Sequence, residues 1–115
     1  MASKVREILL KAGMPTVAEG RDRLNTELVK ARSSGTVVLK LIHGYGSGGV
    51  GGSLKEAIRN SLRRRRKEGK IRSFVAGENW SVFDESARQI LEECPELAKD
   101  SDLNNYNEGI TIVLL

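Results

Sequence analysis

The chain has 115 residues, 39% hydrophobic and 4% aromatic, which supplies one modest core and excludes a multidomain enzyme. Nineteen Lys and Arg against 15 Asp and Glu give +4, but residues 1–75 hold 17 basic and 6 acidic side chains (+11), whereas residues 76–108 hold 2 basic and 9 acidic ones (−7). No run reaches the roughly 18 apolar residues of a membrane-spanning helix, the single cysteine Cys94 has no internal disulfide partner, and one histidine with one cysteine excludes a zinc cluster of nitrogen and sulfur ligands. The opening MASKVREILLKAG has neither a long apolar stretch nor a small-residue cleavage pattern, so a cytoplasmic protein is expected.

Residues 4–11, KVREILLK, fit both a short strand and a helical stripe of Val5, Ile8 and Leu9; the break at Gly13 and Pro15 favours the strand. Thr16 to Arg32 reads as an amphipathic helix, with Val17, Leu24, Leu28 and Ala31 on one face, Thr16 and Glu19 in capping-box relation and Gly35 past its end. Thr36–Ile42, TVVLKLI, is a nearly continuous apolar run of the kind found in an interior parallel strand. A second helix is predicted over Ser53–Glu68, with Leu54, Ala57, Ile58 and Leu62 on its apolar face, Ser53 and Glu56 as a second capping box and Gly69 as its stop. Ile71–Val75 is a short strand. Ser81 and Asp84 open a helix in which Phe83, Ala87, Ile90, Leu91 and Cys94 recur at helical spacing until Pro95; Lys99–Glu108 reads as polar loop and Gly109–Leu115 as the final strand. This alternation predicts an α/β domain over residues 1–115, with helices on a small mixed sheet and an acidic helical insertion at 76–108 before the last strand.

The segment His43–Ser53, HGYGSGGVGGS, places six glycines between a buried strand and a helix start. Glycine admits positive φ and close approach, and the unpaired N–H groups of a helix N-terminus favour an anion such as phosphate. Gly44, Gly46 and Gly49 match a dinucleotide fingerprint, but no acidic residue ends a following strand and the chain is too short for a doubly wound sheet; a triphosphatase loop would need lysine where Gly52 stands. His43, at the expected carboxyl edge of a parallel sheet, is a candidate general acid or base on a phosphodiester, or a structural histidine. Lys55, Arg59, Arg63 and either Arg66 or Lys67 form a basic stripe opposite the apolar face of the second helix, and with Tyr45 as a stacking aromatic they suit a nucleic-acid backbone. The bland alternatives are a solvated charged face and a tyrosine packed over glycine. Asp100, Asp102 and Asn104 mimic the start of a calcium loop, although Asn105 and Thr111 stand where its glycine and bidentate glutamate belong.

The string Leu39-Lys40-Leu41-Ile42-His43-Gly44-Tyr45-Gly46-Ser47-Gly48, the basic helix after it and the closing Gly109-Ile110-Thr111-Ile112-Val113-Leu114 resemble the Smr (small MutS-related) domain family. The resemblance implies a two-layer α/β sandwich of βαβαββ type, like the C-terminal domain of translation initiation factor three, here with an extra helix before the last strand. It also implies binding of DNA or RNA, with nicking endonuclease activity in several members. His43, Gly44 and Gly46 carry over by motif. The family's first motif, Leu-Asp-Leu-His-Gly, falls where this chain reads Ile8-Leu9-Leu10-Lys11-Ala12-Gly13-Met14-Pro15, and both its aspartate and its histidine are missing.

Three functions follow as expectations. The first is a nucleic-acid-binding domain that contacts DNA or RNA through His43, Gly44, Tyr45, Gly46, Ser47, Lys55, Arg59 and Arg63, without a cofactor. The second is a nicking endonuclease using His43, the one reading of the three in which a divalent cation could take part. The third is a protein-interaction module working through the acidic insertion, which in a related reading folds over the basic body and competes with nucleic acid.

Overall fold

The computed structural model describes residues 4–45 and 50–115, with backbone alone at 50–53. Four strands, β1 (Val5–Leu9), β2 (Val38–Ile42), β3 (Ser73–Ala76) and β4 (Ile110–Leu114), form one sheet in the order β1-β2-β4-β3. β1 and β2 run parallel, joined through α1 (Val17–Ser33), and β4 inserts between β2 and β3 antiparallel to both. The sheet is therefore mixed. β2 is interior, as its apolar run requires, but only its β1 side is parallel, so His43 does not sit at the edge of an all-parallel sheet.

Helix α1 begins as its sequence dictates: the Glu19 N–H donates to Thr16 Oγ1 at 3.1 Å, and the Thr16 N–H donates to Glu19 Oε1 at 3.0 Å. Helix α2 (Val50–Lys67) starts three residues before Ser53, which therefore lies inside the helix and is not its cap. The two helices cover one face of the sheet. Leu24, Leu28 and Ala31 of α1 and Leu54, Ile58 and Leu62 of α2 bury against Ile8, Leu39, Leu41 and Val113. Gly20 makes this contact possible, because a Cβ there would stand 2.3 Å from Leu54 Cδ1.

Strand alternation sends Val38, Lys40 and Ile42 of β2 and Ile110, Ile112 and Leu114 of β4 to the opposite face. That face is roofed by the acidic segment: a 3-10 turn at Gly77–Asn79, helix α3 (Glu85–Glu93) and a second 3-10 turn at Pro95–Lys99. Its Trp80, Ala87, Ile90, Cys94 and Leu97 are buried with Val38, Val75, Ile112 and Leu114. What the sequence presents as a surface insertion is the second wall of the core. Helix α3 is capped by Asp84, whose carboxylate accepts from the Ala87 N–H at 2.9 Å. Phe83, assigned by spacing to its apolar stripe, precedes the cap and is 84% exposed.

Lys40 pins this roof. Its ammonium, buried in the middle of β2, donates to Asp100 Oδ1 at 2.8 Å and lies 2.6 Å from Asp102 Oδ2, while the Trp80 indole N–H donates to Asp100 Oδ2 at 3.0 Å. Burial opposes the lysine charge, but the two carboxylates outweigh it and raise its pKa. The carboxylates that resemble a calcium loop are thus occupied by a lysine ammonium. Asp102 is held below the usual carboxylate range by that ammonium and by the Asn107 side-chain amide.

Gly77 is the tightest point of the roof: a Cβ there would lie 1.9 Å from the Asn107 carbonyl oxygen and 2.5 Å from Ile110 Cγ1. Both obstacles belong to packed structure that cannot swing aside. Gly77→Ala is expected to lower stability by about 2–3 kcal/mol, at the upper end of overpacking costs, measured by urea unfolding; a change below the error of the fit would contradict this packing.

Candidate functional site

The glycine-rich segment leaves the sheet where β2 ends beside the start of β4. The backbone N–H groups of His43 and Gly44 both donate to the Gly109 carbonyl, each at 3.0 Å, and Gly44 takes φ +83°, a conformation that favours glycine. Tyr45 then turns over Gly109, where a Cβ would meet its ring at 3.4 Å. The tyrosine packs on glycine with one side and stays 58% exposed with the other. Gly46 and Ser47, both predicted contacts, lie outside the described residues.

His43 points inward and is 0% exposed. Its parity along β2 matches Leu39 and Leu41, so the ring faces α2, and opposite it stands Thr111, the one polar side chain in the apolar run of β4. The ring Nε2 is 2.8 Å from Thr111 Oγ1 and Nδ1 is 3.0 Å from the Gly44 carbonyl oxygen. Arg59 Nε reaches the same hydroxyl at 3.2 Å. A guanidinium only donates and a carbonyl only accepts, so Arg59 donates to Thr111 and His43 Nδ1–H donates to Gly44; with the ring neutral, Nε2 keeps its lone pair and accepts from the Thr111 hydroxyl. The imidazole is neutral. Burial is the main cause that lowers its pKa from the ordinary 6.5 to about 4; the Gly44 bond opposes the shift, and the charges of Arg59 and Lys55 add to it.

Arg59 is the centre of this cluster and is 8% exposed. Its two terminal nitrogens grip Glu78 in a fork at 2.9 and 2.7 Å, and Nη2 also donates to the carbonyls of Glu108 at 3.3 Å and Ile110 at 3.2 Å. The Glu78 carboxyl is held low by this fork even though burial opposes it. The stripe predicted from the spacing of Lys55, Arg59 and Arg63 therefore divides. Arg63 is exposed and Lys55 partly so, whereas Arg59 neighbours Ile58 and Leu62 on the helix surface and reaches inward to β4. The sequence carried one signal for this, a lone threonine in an apolar strand, but nothing in it singled out Glu78.

One side chain that the sequence reading did not select joins the loop. Lys11, just past β1, lies beside Gly44, where a Cβ would touch its Cδ at 3.4 Å. The turn that carries it is held by Arg23 of α1, whose Nη1 donates to the carbonyls of Leu10 at 3.0 Å and Ala12 at 2.8 Å. At the far end of α2, Arg65 turns to Asn25 and Ser61, while Arg63, Arg64, Arg66 and Lys67 are exposed. Among the described residues, none of those last four takes part in an ion pair. The acidic segment instead pairs through Glu78, Asp100 and Asp102 with inward cations, and through Glu93 with Arg72 at 2.7 Å.

The residues thus build a mixed four-stranded α/β domain with a glycine motif at the end of an interior strand, followed by a basic helix. The family model of the Smr domain matches residues 12–81, more than half of the chain, and the chain belongs to that family. The match begins within the stretch Ile8–Pro15 where the first motif falls. Among solved structures, the chain resembles the crystal structure of the Smr domain of Thermus thermophilus MutS2 at 27% identity and TM-score 0.59, with 96% of each chain covered. No curated protein matches it.

Two outcomes are expected from the buried cluster. Arg59→Ala leaves Thr111, two carbonyls and Glu78 without their donor and should cost about 3 kcal/mol, at the low end for a broken buried pair because Glu78 reaches solvent; denaturant titration measures it. His43 is neutral in the folded state and protonates more readily when unfolded, so its contribution to stability is complete above about pH 6.5 and is lost as pH falls towards 4. The stability advantage of the wild type over His43→Gln should therefore shrink between pH 7 and pH 4, by as much as about 3 kcal/mol. An advantage independent of pH would mean that the ring is not held neutral.

Proposed function

We propose that this Smr domain binds DNA or RNA through the backbone, with the glycine segment at His43–Ser47, Tyr45 and the exposed side of α2 as its contact surface. The observation that carries the reading is the division of the cations. Arg59 and Lys40 are consumed inside by the acidic segment, and the exposed cations Arg63, Arg64, Arg66 and Lys67 are left without carboxylate partners among the described residues. A helix surface of that kind binds phosphates. Membership of a family known for nucleic-acid binding and nicking supports the same reading. Within this interface Arg59 is a positioning residue, since it holds His43 and the start of β4 where the loop departs, and Lys55, Arg63 and the added Lys11 supply the charge.

The site favours binding over strand cleavage. The Nε2 lone pair of His43 is occupied by the Thr111 hydroxyl, the ring is buried, and its depressed pKa makes it a weak proton acceptor. Glu78, Glu93, Asp100 and Asp102 of the acidic segment are locked in pairs, which leaves fewer of its carboxylates to cover the basic surface.

Lys55→Ala/Arg63→Ala should reduce the dependence of log affinity on log salt by about 1.4 for a single strand, roughly 0.7 for each lost phosphate contact. Fluorescence anisotropy on labelled DNA and RNA reads this, and a gel of the same mixtures with magnesium or manganese should show intact strands. Cleavage lost in His43→Ala would establish a nicking enzyme instead. Absence of binding at any salt would turn attention to a protein partner.

A further inference from the structure

The last two turns of α2 build a surface separate from the glycine segment. Arg63, Arg64, Arg66 and Lys67, with Phe74 of β3, line an open recess of about 740 Å³. Arg66 stands sixteen residues beyond Val50, so this recess lies about 24 Å along the helix from its loop end. β3 is an edge strand, and Phe74 is partly buried against the core, which fixes its ring at the recess without covering it. Arg63 and Phe74 continue into a smaller recess with Asn79, Ser86 and Asp84, whose carboxylate is engaged as the cap of α3.

The charge around the recess is one-sided. The α2 wall carries only cations, whereas across Arg66 the α3 wall presents Glu85 and Glu92 against the single cation Arg88, with Gln89, and is net acidic. A polyanion is confined to the α2 side. A duplex, with phosphates on both flanks, would bring one strand towards the glutamates, and the carboxylates of an acidic peptide gain nothing from the face of an anchored ring. A single strand satisfies both walls, with phosphates on the arginines and one base on the phenylalanine.

We propose that the recess between α2 and β3 is a base-stacking subsite for single-stranded nucleic acid, in which Phe74 receives a base while Arg63, Arg66 and Lys67 hold the flanking phosphates. It rests on the backbone-binding reading given above and adds what that reading lacks, a preference for unpaired bases. Base–aromatic stacking tolerates any sequence, because every base has a π face.

The test compares the full chain with Phe74→Leu, which keeps an apolar side chain against the core, and with Phe74→Trp. The probes are a single strand of about 12 nucleotides, within the usual site size, an abasic strand of equal length, a duplex and a polyglutamate peptide. The wild type should prefer the base-bearing single strand to both the abasic strand and the duplex. Phe74→Leu should lose about tenfold in affinity for the base-bearing strand and nothing for the abasic one. Phe74→Trp should retain affinity, and the emission of its added indole should be quenched on binding. Undiminished binding by a folded Phe74→Leu overturns the subsite, and if that variant does not fold, wild-type affinity without quenching in Phe74→Trp does so. In either case, salt-sensitive binding that falls in Lys55→Ala/Arg63→Ala leaves the broader reading intact. No binding to any strand overturns both readings, and polyglutamate bound as tightly as the single strand overturns the subsite in favour of an acidic protein partner.

Discussion

The guanidinium of Arg59 is the constraint on which the functional end of the molecule depends. A buried positive charge is costly unless nearly every donor is satisfied, and here the Glu78 fork, the Thr111 hydroxyl and the carbonyls of Glu108 and Ile110 do so. Those partners come from two places along the chain, the turn at Glu78 and residues 108–111. The same group therefore fixes α2 over β4, ties down the turn that begins the acidic segment, and sets the hydroxyl that orients His43. Because Gly109 then accepts from both His43 and Gly44, the point at which the glycine segment leaves the sheet is fixed by contacts far from it in sequence.

Lys40 performs the corresponding task on the other face. Both cations lie on elements that the charge count assigns to the basic part of the chain, and both are neutralised by carboxylates of the acidic part. Part of the charge segregation along the sequence is thus an internal pairing scheme that holds the roof to the sheet. The specific geometry adds direction: a carboxylate pair around one ammonium and a carboxylate fork on one guanidinium each admit a single seating of the segment.

This use of charge sorts the basic residues by role. Side chains that reach β4 or the roof serve the fold, and those at the outer side of α2 remain for a partner. Where the family's first motif would supply an aspartate and a histidine, the chain offers Lys11 beside Gly44, which adds positive charge to the loop in place of a carboxylate and an imidazole. The interface consequently leans towards holding phosphate, and the neutral buried state of His43 fits a histidine that shapes a loop.

The sequence by itself determined the local elements and the family. Period-2 and period-3.6 apolar patterns locate the strands and helices to within a few residues, the Thr16–Glu19 box starts α1, and the glycine motif after β2 identifies the Smr domain, because each of these signals is carried by neighbouring residues. Tertiary structure decided the rest. The seating of β4 antiparallel between β2 and β3, the burial of the acidic segment and the inward turn of Arg59 depend on partners 19 to 76 residues apart. A helix position at the border of the apolar face reads the same in sequence whether its arginine meets water or a buried glutamate. Only the folded chain, by setting Thr111 and Glu78 within reach and removing water, chooses between them.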